Sequence, residues 1–176
     1  ADSEIDGIRI LKGMEIDILK DGSLDLPDEI LKELDIRICS VHYHVDLPEE
    51  KPTDRVLKAM KNPHFQILGH PSGRQIEERE AMDLDMDKIM KRAKETHSYM
   101  EINANPHRLD LNDHYAKKAK EMGIKVTIST DAHSTGGLEN MKYGVSQARR
   151  GWLEKEDVLN TMSVNELLKA LNGDES

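Results

Sequence analysis

Segments with the pattern of β-strands alternate with helical patterns along most of this sequence, and no other feature limits the fold more strongly. Five short apolar segments are each followed by a segment with helical periodicity. A long helical pattern, residues 83–97, has one apolar face made of Met86, Ile89, Met90 and Ala93. This alternation predicts a parallel sheet with right-handed crossovers, either an open doubly wound sheet or part of a barrel of about seven or eight strands. The five predicted strands are "GMEIDIL", "IRICSVH", "FQILGHP", "YMEINAN" and "KVTIST".

After the fifth strand the chain is predicted to be mostly helical. Helical patterns cover residues 137–151, 154–162 and 163–172. In the helix that precedes the fifth strand, Asn112 is the predicted N-cap and Gly123 the left-handed terminator. Because 176 residues suit one domain or a large piece of one, we expect residues 1–176 to form a single domain.

Composition limits the classes of function that the chain can have. The formal net charge of −9 argues against a broad basic face for nucleic acid, although DNA could still reach a pocket lined by cations. Cys39 is the single cysteine, so an intrachain disulfide is excluded and a reducing compartment is expected. The sequence shows no signal peptide and no apolar run long enough to cross a bilayer. We therefore expect a cytoplasmic protein without a membrane partner.

Histidine and acidic residues occur in or at the ends of all five predicted strands. In parallel α/β folds ligands bind outside the carboxyl ends of the strands, so these side chains should converge on one rim. Each residue alone is a weak signal, and a lone histidine is more often a loop residue than a ligand. Together they predict a metal site. The set comprises Glu15, His42 with the nearby His44, His70, Glu101, Asp131 and His133.

The residue types of this set indicate which ions it would hold. Histidine and carboxylate without thiolate favour Zn, Mn or Fe over Ca or Mg. Asp131 and His133 are two positions apart, and strand alternation would turn both toward the centre. The Glu15 carboxylate could bridge two ions, and a two-ion site suits phosphoester hydrolysis. Arg74 and Arg108 lie just past strand ends, where each could hold a phosphate or form a surface salt bridge.

Several longer motifs resemble the C-terminal PHP domain of bacterial and archaeal family X DNA polymerases. The similarity runs from about Gly13 to about Leu168, and "GHPSGR", "EINANP" and "ARRGWL" are its most specific parts. The resemblance implies a distorted (β/α)7 barrel, similar to a TIM barrel, that binds a cluster of up to three ions. It also implies Mn-dependent 3′–5′ exonuclease or related phosphoesterase activity. The full stretches that carry the resemblance are "GMEIDIL", "DGSLDLPDEIL", "SVHYH", "ILGHPSGR", "EINANPHRLDL" and "STDAHSTGGLENMKYGVSQARRGWLEKEDVLNTM".

The resemblance also implies roles for individual residues. Glu15, His42, His70, Asp131 and His133 match metal ligands of the family, and Glu15 and Asp131 are the residues expected to be catalytic. The family's first motif, His-x-His, should precede the bridging glutamate, but no histidine precedes Glu15 here. The segment "VHYH" contains a His-x-His sequence, but it follows Glu15 instead of preceding it. His44 is therefore not assigned as a ligand, and His107 is left without a role. We therefore expect a partial PHP barrel of about five parallel strands that keeps one ion position nearly whole.

Three functions remain open from the sequence. The first is a phosphodiesterase module of the 3′–5′ exonuclease type in a DNA repair polymerase, weak or inactive as this piece. The second is a PHP-type phosphomonoesterase acting on a small phosphate ester, and the third is a non-catalytic structural domain. The expected cofactors are divalent ions, Mn or Zn with Fe as a further candidate. The expected partners are DNA through the full-length polymerase, the upstream polymerase domains and missing half of the barrel, and a second copy at an open sheet edge.

Overall fold

A computed structural model describes residues 7–43 and 52–173, and within them strands and helices alternate. The strands are β1 (Gly13–Asp17), β2 (Ile36–Ser40), β3 (Ile67–Leu68), β4 (Tyr99–Asn103) and β5 (Val126–Ser129). The α-helices are α1 (Asp28–Leu31), α2 (Pro52–Ala59), α3 (Met86–Thr96), α4 (Asp113–Glu121), α5 (Met141–Arg150) and α6 (Val164–Asn172). Short 3₁₀ helices cover Thr135–Asn140, Lys155–Asp157 and Leu159–Thr161.

The five strands form one parallel sheet in the order β1-β2-β3-β4-β5. Strands that are neighbours in the chain are thus neighbours in the sheet, as in a barrel, and the intervening helices provide the crossovers. Within the described residues β1 and β5 do not pair, so the sheet is open. This architecture confirms the predicted α/β class, a partial TIM-like barrel with five parallel strands.

One face of the sheet carries an apolar row that builds the main core. Ile16 lies beside Cys39, Cys39 beside Leu68, Leu68 beside Met100, and Met100 beside Val126. All five side chains are at most 1% exposed and pack with the buried faces of α2, α3 and α4. The apolar residues predicted for α3 belong to the same core. Burial of this row fixes the register, because a shift by one residue would turn every side chain to the other face.

The opposite face of the sheet is apolar at one end and polar at the other. Near the amino ends of the strands, Ile67 and Tyr99 pack with Leu171 and Ala170 of α6 in a smaller apolar cluster. Nearer the carboxyl ends the same face carries Asp17, which lies beside Ser40 in the register. Side chains two residues apart along a strand share a face, so Glu15 and Asp17 both project on this polar side. The sheet therefore presents acidic groups at its carboxyl end while remaining closed by α6 at the other.

Local sequence signals account for both ends of α4. Asn112 caps α4 by accepting the Tyr115 amide, and Gly123 follows the helix with a φ of 74°.

The prediction of a helix over 154–162 is wrong, because this segment forms two short 3₁₀ turns. Val158, between the turns, forms a parallel bridge to Val126 of β5. That pairing holds Val158 extended and interrupts the helix.

Two further features are the burial of the single cysteine and the lengths of the helices. Cys39 is fully buried, and burial raises the pKa of its thiol to about 12, so it behaves as an inert core residue. In the ranges that the structure describes, no helix has the length and apolar character needed to cross a membrane.

Candidate metal centre

The carboxyl ends of β1, β2 and β3 bring three of the predicted ligands together. Glu15 lies within β1, His42 two residues after β2, and His70 two residues after β3. One ligand atom from each of the three lies within 4.8 Å of the others, the spacing that a single cation requires. Among the described residues this is the group of histidine and acidic side chains whose atoms lie close enough together to share one ion. The structure thus brings Glu15, His42 and His70 together, and their role as metal ligands stays a prediction.

The distances within the group show that both imidazoles turn the same nitrogen inward. His70 Nε2 lies 2.9 Å from Glu15 Oε1, and His42 Nε2 lies 3.3 Å from the same oxygen. The two Nε2 atoms are 3.3 Å apart. An imidazole that is neutral and protonated at Nδ1 presents the lone pair of Nε2 to this point. A cation placed among the three atoms would use both lone pairs and the carboxylate charge, so these residues fit a divalent ion.

Exposure differs across the group in the way that an open site requires. The His70 side chain is 2% exposed, the His42 side chain 28% and the Glu15 side chain 38%. The centre is therefore anchored in the interior on one side and reaches solvent on the other. Such a geometry leaves room for water or substrate beside three protein ligands.

Electrostatics favour the charged forms of the two more exposed ligands. Hydrogen bonds from His42 and then His70 hold the pKa of Glu15 well below its ordinary value of 4.5, although burial opposes them. The hydrogen bond to Glu15, followed by that to Asp17, raises the pKa of His42 above 6.5 against the effect of burial. Glu15 therefore supplies a negative charge at neutral pH, and an ion bound at His42 would have to displace a proton from that imidazole.

A buried carboxylate from β4 supports the position of His70. The Glu101 side chain is nearly completely buried and accepts the His70 backbone N–H at 2.7 Å. His70 has a φ of 25°, and a non-glycine residue in that region persists only where its surroundings hold it. Burial raises the pKa of Glu101, and the His70 amide opposes that shift. Glu101, which the sequence placed among the strand-end acids, thus acts on a ligand without joining the group of three.

Loops after β3 and β4 are held together by a second buried carboxylate. Asp110 accepts the Ser72 amide at 2.8 Å, the Ser72 hydroxyl at 2.9 Å and the Gly73 amide at 3.0 Å. Arg74, predicted to bind substrate, donates its Nε to the Arg108 carbonyl at 2.8 Å and its Nη2 to the Leu109 carbonyl at 2.6 Å. Two of the guanidinium nitrogens are thus used within the protein, and they bind the two loops to each other.

Asp131 and His133 lie outside the group of three ligands. β5 ends at Ser129 and Asp131 has a φ of 52°, so strand alternation does not extend to this pair. The His133 side chain is 88% exposed, whereas Asp131 is 20% exposed. His133 Nδ1 lies 3.8 Å from Asp131 Oδ1, so the two side chains are close to each other but outside the group of three, and their role as ligands stays a prediction.

Arg108 lies next to Asp131 at the same end of the sheet. Its Nε is 3.6 Å from Asp131 Oδ2, and Asn103 Nδ2 donates to that oxygen at 3.2 Å. The Arg108 side chain is 13% exposed, and its buried Nη1 has no hydrogen-bond partner among the described residues. A buried guanidinium nitrogen without a partner is costly, and an anion would satisfy it.

Sequence reasoning missed two contributors to the centre. Asp17 forms a hydrogen bond with His42 Nδ1, and Asp110 holds the loop that follows His70. The signal for Asp17 was available, because its spacing of two from Glu15 places both on one face of a strand. For Asp110 no local signal existed, since its partners are 37 and 38 residues away. His44 lies outside the described residues, and the exposed His107 contributes its backbone carbonyl to the Ile76 amide.

The chain is similar to several named bacterial proteins. It is 43% identical over 165 residues to the DNA polymerase/3′-5′ exonuclease PolX of Bacillus subtilis (strain 168), an alignment that covers 94% of this chain. It is 36% identical over 168 residues to a probable phosphatase of Thermoanaerobacter sp. (strain X514), covering 90% of this chain. It is 32% identical over 174 residues to a probable phosphatase of Clostridium acetobutylicum, covering 93% of this chain. No model of a protein family matches the sequence.

The share of each relative that the chain covers differs widely. The chain spans 29% of the length of PolX, 66% of the Thermoanaerobacter protein and 69% of the Clostridium protein. The aligned region is thus less than a third of PolX and about two thirds of each probable phosphatase.

Proposed function

We propose, from the premise that this chain belongs to the family of these probable phosphatases and is homologous to PolX, that it is a metal-dependent phosphoester hydrolase of the PHP type. The homologues, named as a polymerase/exonuclease and as phosphatases, support a hydrolase. The observation that carries the proposal is the convergence of Glu15, His42 and His70 on one point at the carboxyl end of the sheet. In parallel α/β folds this end is where catalytic groups collect.

The protein's own residues would divide the work of binding and orientation. His42 and His70 would hold a divalent ion through Nε2, and Glu15 through Oε1, since these atoms already face each other. Such an ion lowers the pKa of bound water and polarises a phosphoryl oxygen. His70 is the anchor, because Glu101 fixes its backbone amide and almost no solvent reaches its ring. Mn and Zn are the proposed ions, with Fe as a further candidate.

Arg108 is the proposed contact for substrate phosphate. Its buried, unpartnered Nη1 supports this assignment, and a guanidinium can grip two phosphate oxygens. Arg74 would support it, since its two hydrogen bonds hold the backbone of Arg108 and Leu109. Asp131, 3.6 Å from Arg108 Nε, is proposed to orient the guanidinium and, with His133, to serve a further ion. Glu15 and Asp131 remain the residues proposed to be catalytic.

Two substrates within this class are proposed, each with its own support. Phosphodiester hydrolysis from a DNA 3′ end is proposed first, because PolX is the relative with the higher identity, 43% against 36% and 32%. Hydrolysis of a small phosphomonoester is the second candidate, because the chain covers a larger share of the probable phosphatases than of PolX. In the first case DNA is the partner, reached in the context of a polymerase.

We further propose that residues 1–176 by themselves hydrolyse either substrate slowly. A two-ion mechanism needs ligands for both ions, and no histidine precedes His42 in these residues. With one position filled, orientation and charge stabilisation are incomplete, and each of these effects supplies several kcal/mol of barrier reduction. Activity should therefore rise with Mn concentration beyond the level that fills the group of three.

The test is a Mn-dependent assay on two substrates in parallel, a 5′-labelled single-stranded oligonucleotide and p-nitrophenyl phosphate. Glu15→Gln and His70→Ala should abolish hydrolysis, and Arg108→Met should raise KM. His114→Ala, an exposed histidine on α4, is the matched control and should keep full activity. Stepwise shortening of the oligonucleotide supports the first substrate, and release of nitrophenol alone supports the second. Activity that survives Glu15→Gln or His70→Ala, or that needs no ion, would contradict the proposed centre.

A further inference from the structure

We propose that Asp17 is a positioning residue that fixes the tautomer and ring orientation of His42, an inference that rests on the metal centre proposed above. Neither sequence reasoning nor the relatives assign Asp17 a role. Asp17 would then act on a bound ion through the imidazole of His42.

The geometry places Asp17 behind the ring of His42. Asp17 ends β1 and pairs with Ser40, the last residue of β2, two residues before His42. Its Oδ1 is hydrogen bonded to His42 Nδ1. The other ring nitrogen, Nε2, lies 3.3 Å from Glu15 Oε1 and 3.3 Å from His70 Nε2. The two nitrogens of one imidazole thus face two different acids, both from the same face of β1.

This contact determines which nitrogen can bind a cation. An ionised carboxylate only accepts hydrogen bonds, so the nitrogen next to Asp17 must carry the proton. In the neutral imidazole the second nitrogen then keeps its lone pair. For His42 that nitrogen is Nε2, which faces the centre. A carboxylate behind a ligating histidine also raises the basicity of the ligand and restricts rotation of its ring.

His70 differs from His42 in this respect. Its Nδ1 is buried and has no hydrogen-bond partner among the described residues, while its Nε2 faces Glu15 at 2.9 Å. The position of His70 is set instead by burial and by the backbone contact with Glu101. Of the two histidines, only His42 is partly exposed and has an acid behind it. Asp17 therefore supplies the orientation that burial supplies for His70.

The backbone around the Asp17–His42 pair is held by Arg55 of α2. Its Nε donates to the Leu19 carbonyl at 2.8 Å and its Nη1 to the Tyr43 carbonyl at 2.8 Å. Leu19 is two residues beyond Asp17, and Tyr43 is the residue after His42. One buried guanidinium thus ties the chain segments that carry the pair, which keeps the acid and the ring in register.

The experiment compares Asp17→Asn and Asp17→Ala with Asp87→Asn, a control that removes the charge of one exposed side chain on α3. Nitrogen-15 NMR of the ion-free protein at alkaline pH reports the tautomer of His42, and calorimetry reports the affinity for Mn and Zn. In the wild type we expect the Nδ1-protonated tautomer. Both Asp17 variants should shift His42 toward the Nε2-protonated form and weaken ion binding about 10- to 100-fold, while stoichiometry stays unchanged. Asp87→Asn should match the wild type in both readouts.

Two results would overturn the inference. One is a His42 tautomer that is the same in the wild type and both Asp17 variants, and the other is an affinity within about threefold of the Asp87→Asn control. Asp17→Asn preserves volume, so it serves if Asp17→Ala fails to fold. If the wild type binds no ion, the metal centre fails, but the tautomer in the ion-free protein still decides the role of Asp17. If ions bind and no hydrolysis occurs, the proposed reaction fails and both readouts remain valid.

Discussion

Replacing Gly69 with alanine would add one methyl group where β2, the end of β3 and β4 meet behind the centre. Gly69 follows β3 and donates its N–H to the Cys39 carbonyl at 2.9 Å. A Cβ built at this position overlaps the Ser40 hydroxyl, lies 2.6 Å from Ile38 Cγ2 and lies 3.5 Å from Glu101 Oε2. Ile38 is β-branched and Ser40 is fully buried, so neither can turn away without disturbing the sheet.

The size of the effect follows from this overlap. Adding a methyl group to a close-packed interior costs about 1–3 kcal/mol. For a protein of this length each kcal/mol lowers Tm by about 2–4 °C, so Gly69→Ala should melt about 2–12 °C below the wild type. Ion affinity should fall as well, because Gly69 directly precedes His70, and a backbone shift that relieves the overlap would move the His70 amide relative to Glu101.

Differential scanning calorimetry on ion-free protein measures the first effect, and titration with Mn measures the second. Gly136→Ala is the matched control, because the nearest atom to its added Cβ is Ser134 Oγ at 4.0 Å. The control should change the free energy of unfolding by less than about 0.5 kcal/mol. If Gly69→Ala melts with the wild type, the close approach of Gly69 to Ile38 and Ser40 is wrong.

Further predictions concern the rim, the support and pH. His133→Ala should change the free energy of unfolding by less than about 0.5 kcal/mol, because its side chain is mostly exposed. Urea titration measures this free energy, and a larger loss would refute the prediction. Arg55→Met should destabilise by about 1–3 kcal/mol, because the buried Ile18 carbonyl loses the hydrogen bond that Arg55 donates. Arg92→Met on α3 should have a small effect, and equal losses in calorimetry would contradict the assigned role. In chelator, the lowered pKa of Glu15 adds stability above pH 4.5 that is lost as pH falls through the folded pKa. The raised pKa of His42 adds stability below pH 6.5 that is lost as pH rises through the folded pKa. The wild type should therefore exceed Glu15→Gln in stability by more between pH 4.5 and pH 6.5 than at pH 8.5. A difference that grows toward pH 8.5 would contradict the directions of these two pKa shifts.

Periodicity predicted the fold because the sheet is buried on one face and every strand is followed by a helix. The alternation in "GMEIDIL" places Ile16 in the core and Glu15 and Asp17 on the other face, as the structure shows. What periodicity could not predict is long-range pairing. Val158 extends because it bridges to Val126, and no pattern within 154–162 carries that information.

The site divides in the same way. Glu15, His42 and His70 were predictable because parallel strands bring their carboxyl ends to one rim. The backbone that carries Asp131 and His133 was not, since β5 ends at Ser129 and Asp131 has a left-handed conformation. Likewise, the role of Asp110 depends on a contact between two loops that are distant in the sequence.

The number of divalent ions bound by Glu15, His42 and His70 is the most direct test of the account. Protein reconstituted with Mn, Zn or Fe and then desalted should retain about one ion per chain, since three protein ligands and water make an open site. Elemental analysis should show that Glu15→Gln, His42→Ala and His70→Ala each lose this ion, and that His114→Ala retains it. The absence of a retained ion from the wild type, or its retention in all three variants, would contradict the assignment of this centre.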